Sequence, residues 1–219
     1  MSTTRATEDY LKTIYGLASS GQDVTTGALA VRLGVSSPSV SAMLKRLEAA
    51  DLLERPKGSA FRLTEQGEGA ALRVVRRHRL LEAFLVHALD MTWDEVHAEA
   101  ELLEHALSER LEERIDAALG YPSHDPHGDP IPPRHGPHEE GWGCALSGMP
   151  ADVTFRVERV ADTDSEALRY LGALGIVPGV VLTVREQEPF GGSRWVELDG
   201  QRYGLSAHLV RLVHGQVQR

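Results

Sequence analysis

Four side chains able to ligate a metal, His97, Glu101, Glu104 and His105, recur in one short stretch at i, i+4, i+7 and i+8. On a helix these positions share a face. Val96, Ala100, Leu103 and Leu107 lay an apolar stripe beside them, so the polar row borders a buried seam. The same spacing also describes an ordinary charged helix face. Upstream, His78 and Glu82 repeat the i, i+4 pairing. Two helices that each carry a His/Glu face can converge on an ion, and imidazole with carboxylate suits Mn, Fe, Co and Zn.

The chain that must position these groups has 219 residues, 42% hydrophobic and 25% charged, enough for two or three small domains. It has no apolar run of about eighteen residues and no apolar signal region at its start, which predicts an intracellular protein with no membrane partner. The one cysteine, Cys144, excludes an internal disulfide and reads as a small, partly buried residue. The net charge of −9 is unevenly spread: residues 1–77 hold 11 Lys and Arg against 8 Asp and Glu, the remainder 12 against 24. A mildly basic head on an acidic body is compatible with DNA binding through the head, because the local field near the phosphates is what matters.

In chain order, Tyr10, Leu11, Ile14 and Leu17 predict a first helix, with Thr7 as its cap. Thr25 and Thr26 cap a second helix that runs to Leu33, and Gly34 breaks it. Ser36 and Pro38 start a third helix, a serine cap and a first-turn proline both being favoured there. This order is a helix-turn-helix. Its second helix turns Ser36, Ser37, Pro38, Ser39, Ser41, Ala42 and Lys45 outward, small polar residues that let a backbone approach base edges and phosphates. Leu52 to Leu63 then reads as a two-stranded wing about a Lys57-Gly58 turn, with Arg55, Lys57 and Arg62 as phosphate contacts.

A capped helix follows from Thr64 to about Ala88, then a helix over 94–107 and another over 108–119, rich enough in Leu, Val and Ala to suggest a dimerisation surface. Residues 120–143 cannot be regular helix. Their four histidines, His124, His127, His135 and His138, are read as part of a linker in preference to a metal site. Beyond it the pattern turns to β: Val153–Val160 alternates, Ser165–Ala173 is a short helix, Val180–Val184 is β-branched, and two strands flank Asp199-Gly200 as a hairpin. This reads as a small SH3-like barrel. The expected fold is therefore mainly α with a β C-terminal module: a winged helix-turn-helix domain (1–73), a helical metal-binding and dimerisation domain with a Pro-rich linker (74–143), and an SH3-like domain (144–219).

That order resembles the diphtheria toxin repressor family of metal-dependent transcription regulators over essentially the whole chain. The motifs carrying the likeness are Thr7-Glu8-Asp9-Tyr10-Leu11, Arg77-His78-Arg79-Leu80-Leu81-Glu82, Val96-His97-Ala98-Glu99-Ala100-Glu101, Leu103-Glu104-His105 and His127-Gly128-Asp129-Pro130-Ile131-Pro132. The resemblance implies a primary metal site at Asp9, Glu101, Glu104 and His105 and an ancillary one at His78, Glu82 and His97. The iron-responsive members have Met and Cys where this chain has Asp9 and Glu101; two carboxylates match the manganese-responsive branch. Two-domain manganese regulators place a Glu at the position of Lys12 to hold paired ions, an arrangement that Lys12 puts in doubt. Of the ancillary ligands that the family's barrel supplies, the matching positions are Arg159, which cannot ligate, and Asp162, which can; Asp164 and Glu166 lie nearby. Ala42 stands where relatives carry Gln, so one base hydrogen bond is absent and thymine-methyl or shape readout substitutes.

The resemblance thus implies a cytoplasmic homodimer that binds a double-stranded DNA operator and represses metal-ion uptake and homeostasis genes. Mn(II) is the expected effector, with Fe(II) or Co(II) possible and Zn(II) a binder. The alternatives are an Fe(II)-responsive regulator of iron uptake and a winged-helix sensor of a non-metal ligand. An enzyme is not expected, because no nucleophile or general-base constellation accompanies the metal-capable residues.

Overall fold

The computed structural model describes residues 4–56, 60–141 and 143–218. It divides into two compact units, one of Met1–His78, Glu101–Glu112 and Pro132–His138, the other of Arg79–Ala100, Glu113–Ile131 and Glu139–Arg219. Among the described residues no helix is long and apolar enough to cross a membrane.

The first unit opens with α1 (Arg5–Ser19), whose cap is Thr4 and not Thr7: the Thr4 hydroxyl accepts from the Thr7 amide. Starting about one turn earlier puts Glu8 in the first turn and Asp9 and Lys12 beyond it. Thr25 caps α2 (Thr26–Leu33), which ends at Gly34 in the left-handed region at φ 65°. Ser36 caps α3 (Ser37–Ala49) through the Ser39 amide, with Pro38 in the first turn. Strands β1 (Leu53–Glu54) and β2 (Arg62–Leu63) pair antiparallel as the wing. Leu11, Ile14, Leu29, Val40, Leu44, Leu47 and Leu53 close a core from these elements and Ala71. That core follows from the apolar positions repeating every three or four residues, and it fixes which side of α3 faces out.

Helix α4 (Glu65–Leu89) follows Thr64, whose hydroxyl accepts from the Gly67 amide. Helix α5 is shorter than the sequence predicts: it spans Val96–Leu103, not 94–107. The Ala106 amide bonds back to the Leu103 carbonyl at 2.9 Å, an i−3 bond that tightens the last turn. Glu104 and His105 therefore sit on a turn, and the expected single face of four ligands does not exist. Helix α6 (Glu109–Ala118) starts after Ser108, whose hydroxyl accepts from the Leu111 amide.

In the second unit β3 (Cys144–Ala145), β4 (Val153–Val160), β5 (Val181–Gln187), β6 (Arg194–Leu198), β7 (Gln201–Leu205) and β8 (Val213–Gln218) form one antiparallel sheet in the order β3-β8-β4-β5-β6-β7. The β6–β7 hairpin turns on Asp199 and Gly200 at φ 52° and 77°, the positive values that a tight hairpin of this kind needs. Phe155, Val157 and Val160 of β4 point inward with Leu182, Val184, Val196, Leu205 and Val213, and Leu168 and Leu171 of α7 (Ser165–Ala173) complete the core.

Residues Tyr121–Ile131 are irregular, as expected, yet they are not a loose linker. Asp125, His127, Asp129 and Ile131 are buried. Gly128 explains how closely the segment lies on the sheet: at φ +88° an added Cβ would fall 2.0 Å from the Glu158 carbonyl oxygen of β4. Arg79 donates to the Pro130 carbonyl and to Glu140, and Arg159 pairs with Asp129. Two arginines thus stand among three buried carboxylates, counting Asp125 at 3.9 Å from Arg79.

Candidate metal centres

In the first unit Asp9 of α1 meets Glu104 and His105 of the turn after α5. His105 Nε2 lies 2.8 Å from Asp9 Oδ1 and 3.5 Å from Glu104 Oε1. Its other nitrogen, Nδ1, is 2.7 Å from Glu8 Oε2. A donor hydrogen bond from Nδ1–H to that carboxylate leaves the Nε2 lone pair directed at Asp9 and Glu104. Nε2 is buried and makes no hydrogen bond of its own among the described residues. This is how a ligating histidine is held: one nitrogen anchored by an outer carboxylate, the other presented to the ion. The three ligand atoms lie within 4.8 Å of one another, compatible with bonds of about 2.0–2.2 Å to a shared ion. Burial pushes the Asp9 carboxyl above its ordinary value, with His105 opposing.

A second triad shares Glu104. His78, Glu101 and Glu104 also offer ligand atoms within 4.8 Å, and here the Lys12 ammonium lies among them. Its Nζ is 2.6 Å from Glu101 Oε1, 2.8 and 3.0 Å from the two Glu104 oxygens and 3.0 Å from His78 Nδ1. Burial works to lower the Lys12 pKa, but Glu104 and Glu101 outweigh it and hold the group above its ordinary value. Of the four residues expected to form the primary site, three converge; Glu101 faces Lys12 in the adjoining triad.

The second unit brings Glu82, His97 and Asp162 together. His97 Nδ1 lies 3.1 Å from Glu82 Oε1 and 3.0 Å from Asp162 Oδ2. Sequence reasoning gave the buried strap no part in this site, yet His127 belongs beside it. Its Nε2 is 2.7 Å from the Trp93 carbonyl oxygen, which fixes Nε2 as the donor. Nδ1 faces Glu82 Oε2 at 3.6 Å, just beyond hydrogen-bond distance, and has no other partner among the described residues. Glu82, Asp125 and His127 form a further metal-capable group, all buried. Burial disfavours both imidazolium ions, but Asp162 and Glu82 outweigh it at His97, and Glu82 and Asp125 at His127, so each ring is pushed up to about 10. Burial acts to raise Asp162, but His97 holds its carboxyl well below the usual range. The available signal for His127 was the spacing His127-Gly128-Asp129, since a glycine that allows close backbone approach also buries its neighbours.

On α3, Ser36, Ser37, Pro38, Ser39, Ser41 and Lys45 are all exposed, as are Arg55 and Arg62 of the wing. The Ser36 and Ser39 hydroxyls lie 2.8 Å apart. The Arg55 guanidinium sits over the Phe61 ring, 4.7 Å from its centre, which limits its reach. Lys57 and the turn at Gly58 lie outside the described residues.

Three family profiles match this chain in succession: the iron dependent repressor N-terminal DNA binding domain over residues 2–60, the iron dependent repressor metal binding and dimerisation domain over 64–133, and the FeoA domain over 144–216. The chain belongs to the iron-dependent and diphtheria toxin repressor family of metal-dependent transcriptional repressors. It is 37% identical over 198 residues to the iron-dependent repressor IdeR of Mycobacterium leprae, covering 84% of this chain and 85% of that protein. Among solved structures it is similar to a manganese-dependent transcriptional repressor in complex with manganese, at 40% identity and a TM-score of 0.91 over 97% of this chain and 100% of the other. It is also similar to the manganese regulator SloR, at 33% identity and a TM-score of 0.81 over the whole of both chains.

Proposed function

We propose that this chain is a homodimeric, Mn(II)-activated repressor that acts in the cytoplasm on a double-stranded operator of metal-uptake genes. Residues 1–73 bind DNA, 74–143 bind metal and dimerise, and 144–219 form the FeoA-like module. The observation that carries the metal reading is His105, anchored through Nδ1 to Glu8 while its buried Nε2 lies 2.8 Å from Asp9 and 3.5 Å from Glu104, close to both yet without a well-formed hydrogen bond among the described residues. A divalent ion would supply the charge that joins these groups. Asp9 holds α1, and through it the DNA-binding head, to the turn that carries Glu104 and His105, so ligation sets the orientation of α3 and lowers the ordering cost of operator binding. Glu82, His97 and Asp162, joined by His127, would hold a second ion. Exposed apolar residues on the helical segment, Leu102 at 59% and Leu111 at 51%, support a dimer.

The ligand set of Asp9, Glu104 and His105, with Glu101 adjoining, has no thiolate or thioether. An oxygen-rich site accommodates Mn(II) at high coordination number, whereas Zn(II) can satisfy a tetrahedral preference with a subset and leave Asp9 unengaged. An electrophoretic shift on DNA upstream of the chain's own gene tests this. EDTA should abolish binding, Mn(II) should restore it most fully per site occupied, and Fe(II) or Co(II) should follow. Asp9→Ala should remove the metal response, and Asp9→Met with Glu101→Cys should move the optimum toward Fe(II) and Co(II). Full binding in EDTA would favour a sensor of a non-metal ligand. Equal activation by Zn(II) and Mn(II) at saturation would end the claim that these carboxylates set the response.

A further inference from the structure

The second-unit site depends on the orientation of one ring. His127 is fully buried, and its Nε2 donates to the Trp93 carbonyl oxygen at 2.7 Å. In the neutral ring that bond places the proton on Nε2 and the lone pair on Nδ1, which faces Glu82. The Trp93 indole also stacks on the ring, with centres 5.8 Å apart and planes 25° from parallel. The edge of the same indole meets α7: a Cβ built on Gly172 would fall 2.8 Å from Trp93 Nε1 and 3.3 Å from Cε2, so the helix can lie this close only without a side chain there. One turn earlier on α7, Arg169 Nε and Nη2 lie 3.0 and 2.9 Å from Oδ2 of Asp94, the residue after Trp93. That arginine is largely exposed, so the pair contributes alignment more than energy. We infer that Trp93 is the positioning residue of the second metal site, its carbonyl selecting the tautomer of His127 and its indole carrying the position of α7 to that ring.

The inference rests on the proposed second ion among Glu82, His97, Asp162 and His127, and it gives the FeoA-like module a role beyond supplying Asp162. Asp162 stands just before α7 (Ser165–Ala173), so one helix aligns both Asp162, through the chain, and His127, through Trp93. The turn that carries Trp93 is closed by the Glu95 amide on the Thr92 carbonyl at 3.0 Å and leads straight into α5 and His97. A displaced indole would therefore disturb His97 as well. Were the His127 ring turned over about its Cβ–Cγ bond, a carbon would face Glu82 in place of Nδ1 and another would face the Trp93 carbonyl. That carbonyl is what makes the ligating orientation the favoured one, the part that outer groups play around metal-bound histidines.

The test takes full-length protein carrying Asp9→Ala and His105→Ala, which silence the first-unit site, and titrates it with Mn(II) while electron paramagnetic resonance reads the free ion. Gly172→Ala should weaken binding in this parent about tenfold or more, since its methyl displaces the indole. Trp93→Phe keeps the carbonyl and a stacking ring but has a smaller edge. Alone it should cost about threefold or less, and paired with Gly172→Ala it should restore affinity to within about threefold of the parent. Long-range proton–nitrogen correlation spectra of histidine-labelled protein loaded with Zn(II), with the His127 signals assigned by His127→Gln, add a readout that packing alone does not move: Nε2 should carry the proton and Nδ1 none. A proton on Nδ1, binding within about twofold of the parent in Gly172→Ala, or no recovery in the paired variant would overturn the inference and leave the second site standing. No Mn(II) bound by the parent, or binding unchanged by Glu82→Ala with His97→Ala, would instead overturn the site itself. The tautomer in the parent decides the matter even if Gly172→Ala fails to fold.

Discussion

Truncating Glu104 to alanine should destabilise the metal-free first unit by about 3 kcal/mol, because it strands a buried cation. Glu104 is fully buried and accepts from Lys12 at 2.8 and 3.0 Å, with His78 Nδ1 at 2.5 Å. Breaking a buried ion pair from one side costs about 3–5 kcal/mol. The low end applies here, since Lys12 keeps Glu101 at 2.6 Å and some contact with water. Lys12→Met should cost as much or slightly more, for it leaves the buried Glu104 carboxylate without its cation. The double variant Lys12→Met with Glu104→Leu removes both charges and keeps the volume, so it should lie within about 1.5 kcal/mol of the parent. Glu101, the remaining carboxylate, has a side chain 43% exposed and can hydrate. Urea unfolding in EDTA, followed by circular dichroism, gives the cycle. With m about 2–3 kcal/mol/M, each single variant should lower the midpoint by about 1–1.5 M. Single effects that simply add in the double variant, to within about 0.5 kcal/mol, would refute the claim that Lys12 and Glu104 act as one buried ion pair.

Alanine at Lys45, Arg55 or Arg62 should weaken DNA binding on all sequences and reduce the salt slope by about 0.9 for every phosphate no longer neutralised, twice that in a dimer, whereas substitutions at Pro38 or Ser39 should alter base preference at constant slope. Binding isotherms over a salt series on operator and random DNA separate the two. Gly128→Ala would place its Cβ 2.0 Å from the Glu158 carbonyl oxygen at a positive φ, and should cost the second unit about 3 kcal/mol, on the order of 10 °C in calorimetry. A shift below about 2 °C would mean that the strap can lift without penalty. Burial, with Arg159 acting in the same direction and the Leu212 carbonyl opposing, holds the His214 imidazole below its ordinary value. Its contribution is therefore fully present above the unfolded value near 6.5 and is lost as pH falls through the lower folded value, so the acid limb of second-unit stability should flatten in His214→Gln.

Much of the fold was legible because local chemistry and tertiary packing agree. Thr25, Ser36 and Pro38 start helices, Gly34 ends one at positive φ, and Asp199-Gly200 turns a hairpin, each where the sequence placed it. The end of α5 was not legible, since Leu-Glu-His-Ala carries no helix breaker and only the i−3 bond from Ala106 marks the stop. β8 was missed because Val213-His-Gly-Gln-Val-Gln offers little alternation, and its inward Gly215 lies against the Arg156 carbonyl. The ligand-bearing residues could be read from residue type and spacing, but which of them belong together came from the resemblance and not from periodicity. Periodicity put His97 with Glu101, while the chain sends His97 to Glu82 and Asp162. Lys12 and Glu8 act through contacts nearly a hundred positions away, at Glu101 and His105, which no local pattern records.

The strap from Tyr121 to Ile131 has consequences for what solution probes would see. Its amides are occupied although it forms no helix and, beyond the isolated bridge between His124 and Pro130, no ladder: Ile131 donates to the Ser123 carbonyl, Asp125 to that of Asp129, and the His127 and Asp129 amides both to Asp125 Oδ1. The His127 carbonyl in turn accepts from Val160 of β4 at 2.9 Å. Slow hydrogen exchange requires bonded, buried amides and not regular secondary structure, so these residues should exchange with the sheet as one cooperative unit. A protease directed by composition to this Pro- and Gly-rich stretch would find little to cut, and trimming the chain there would expose β4 and strip His127 from beside Glu82.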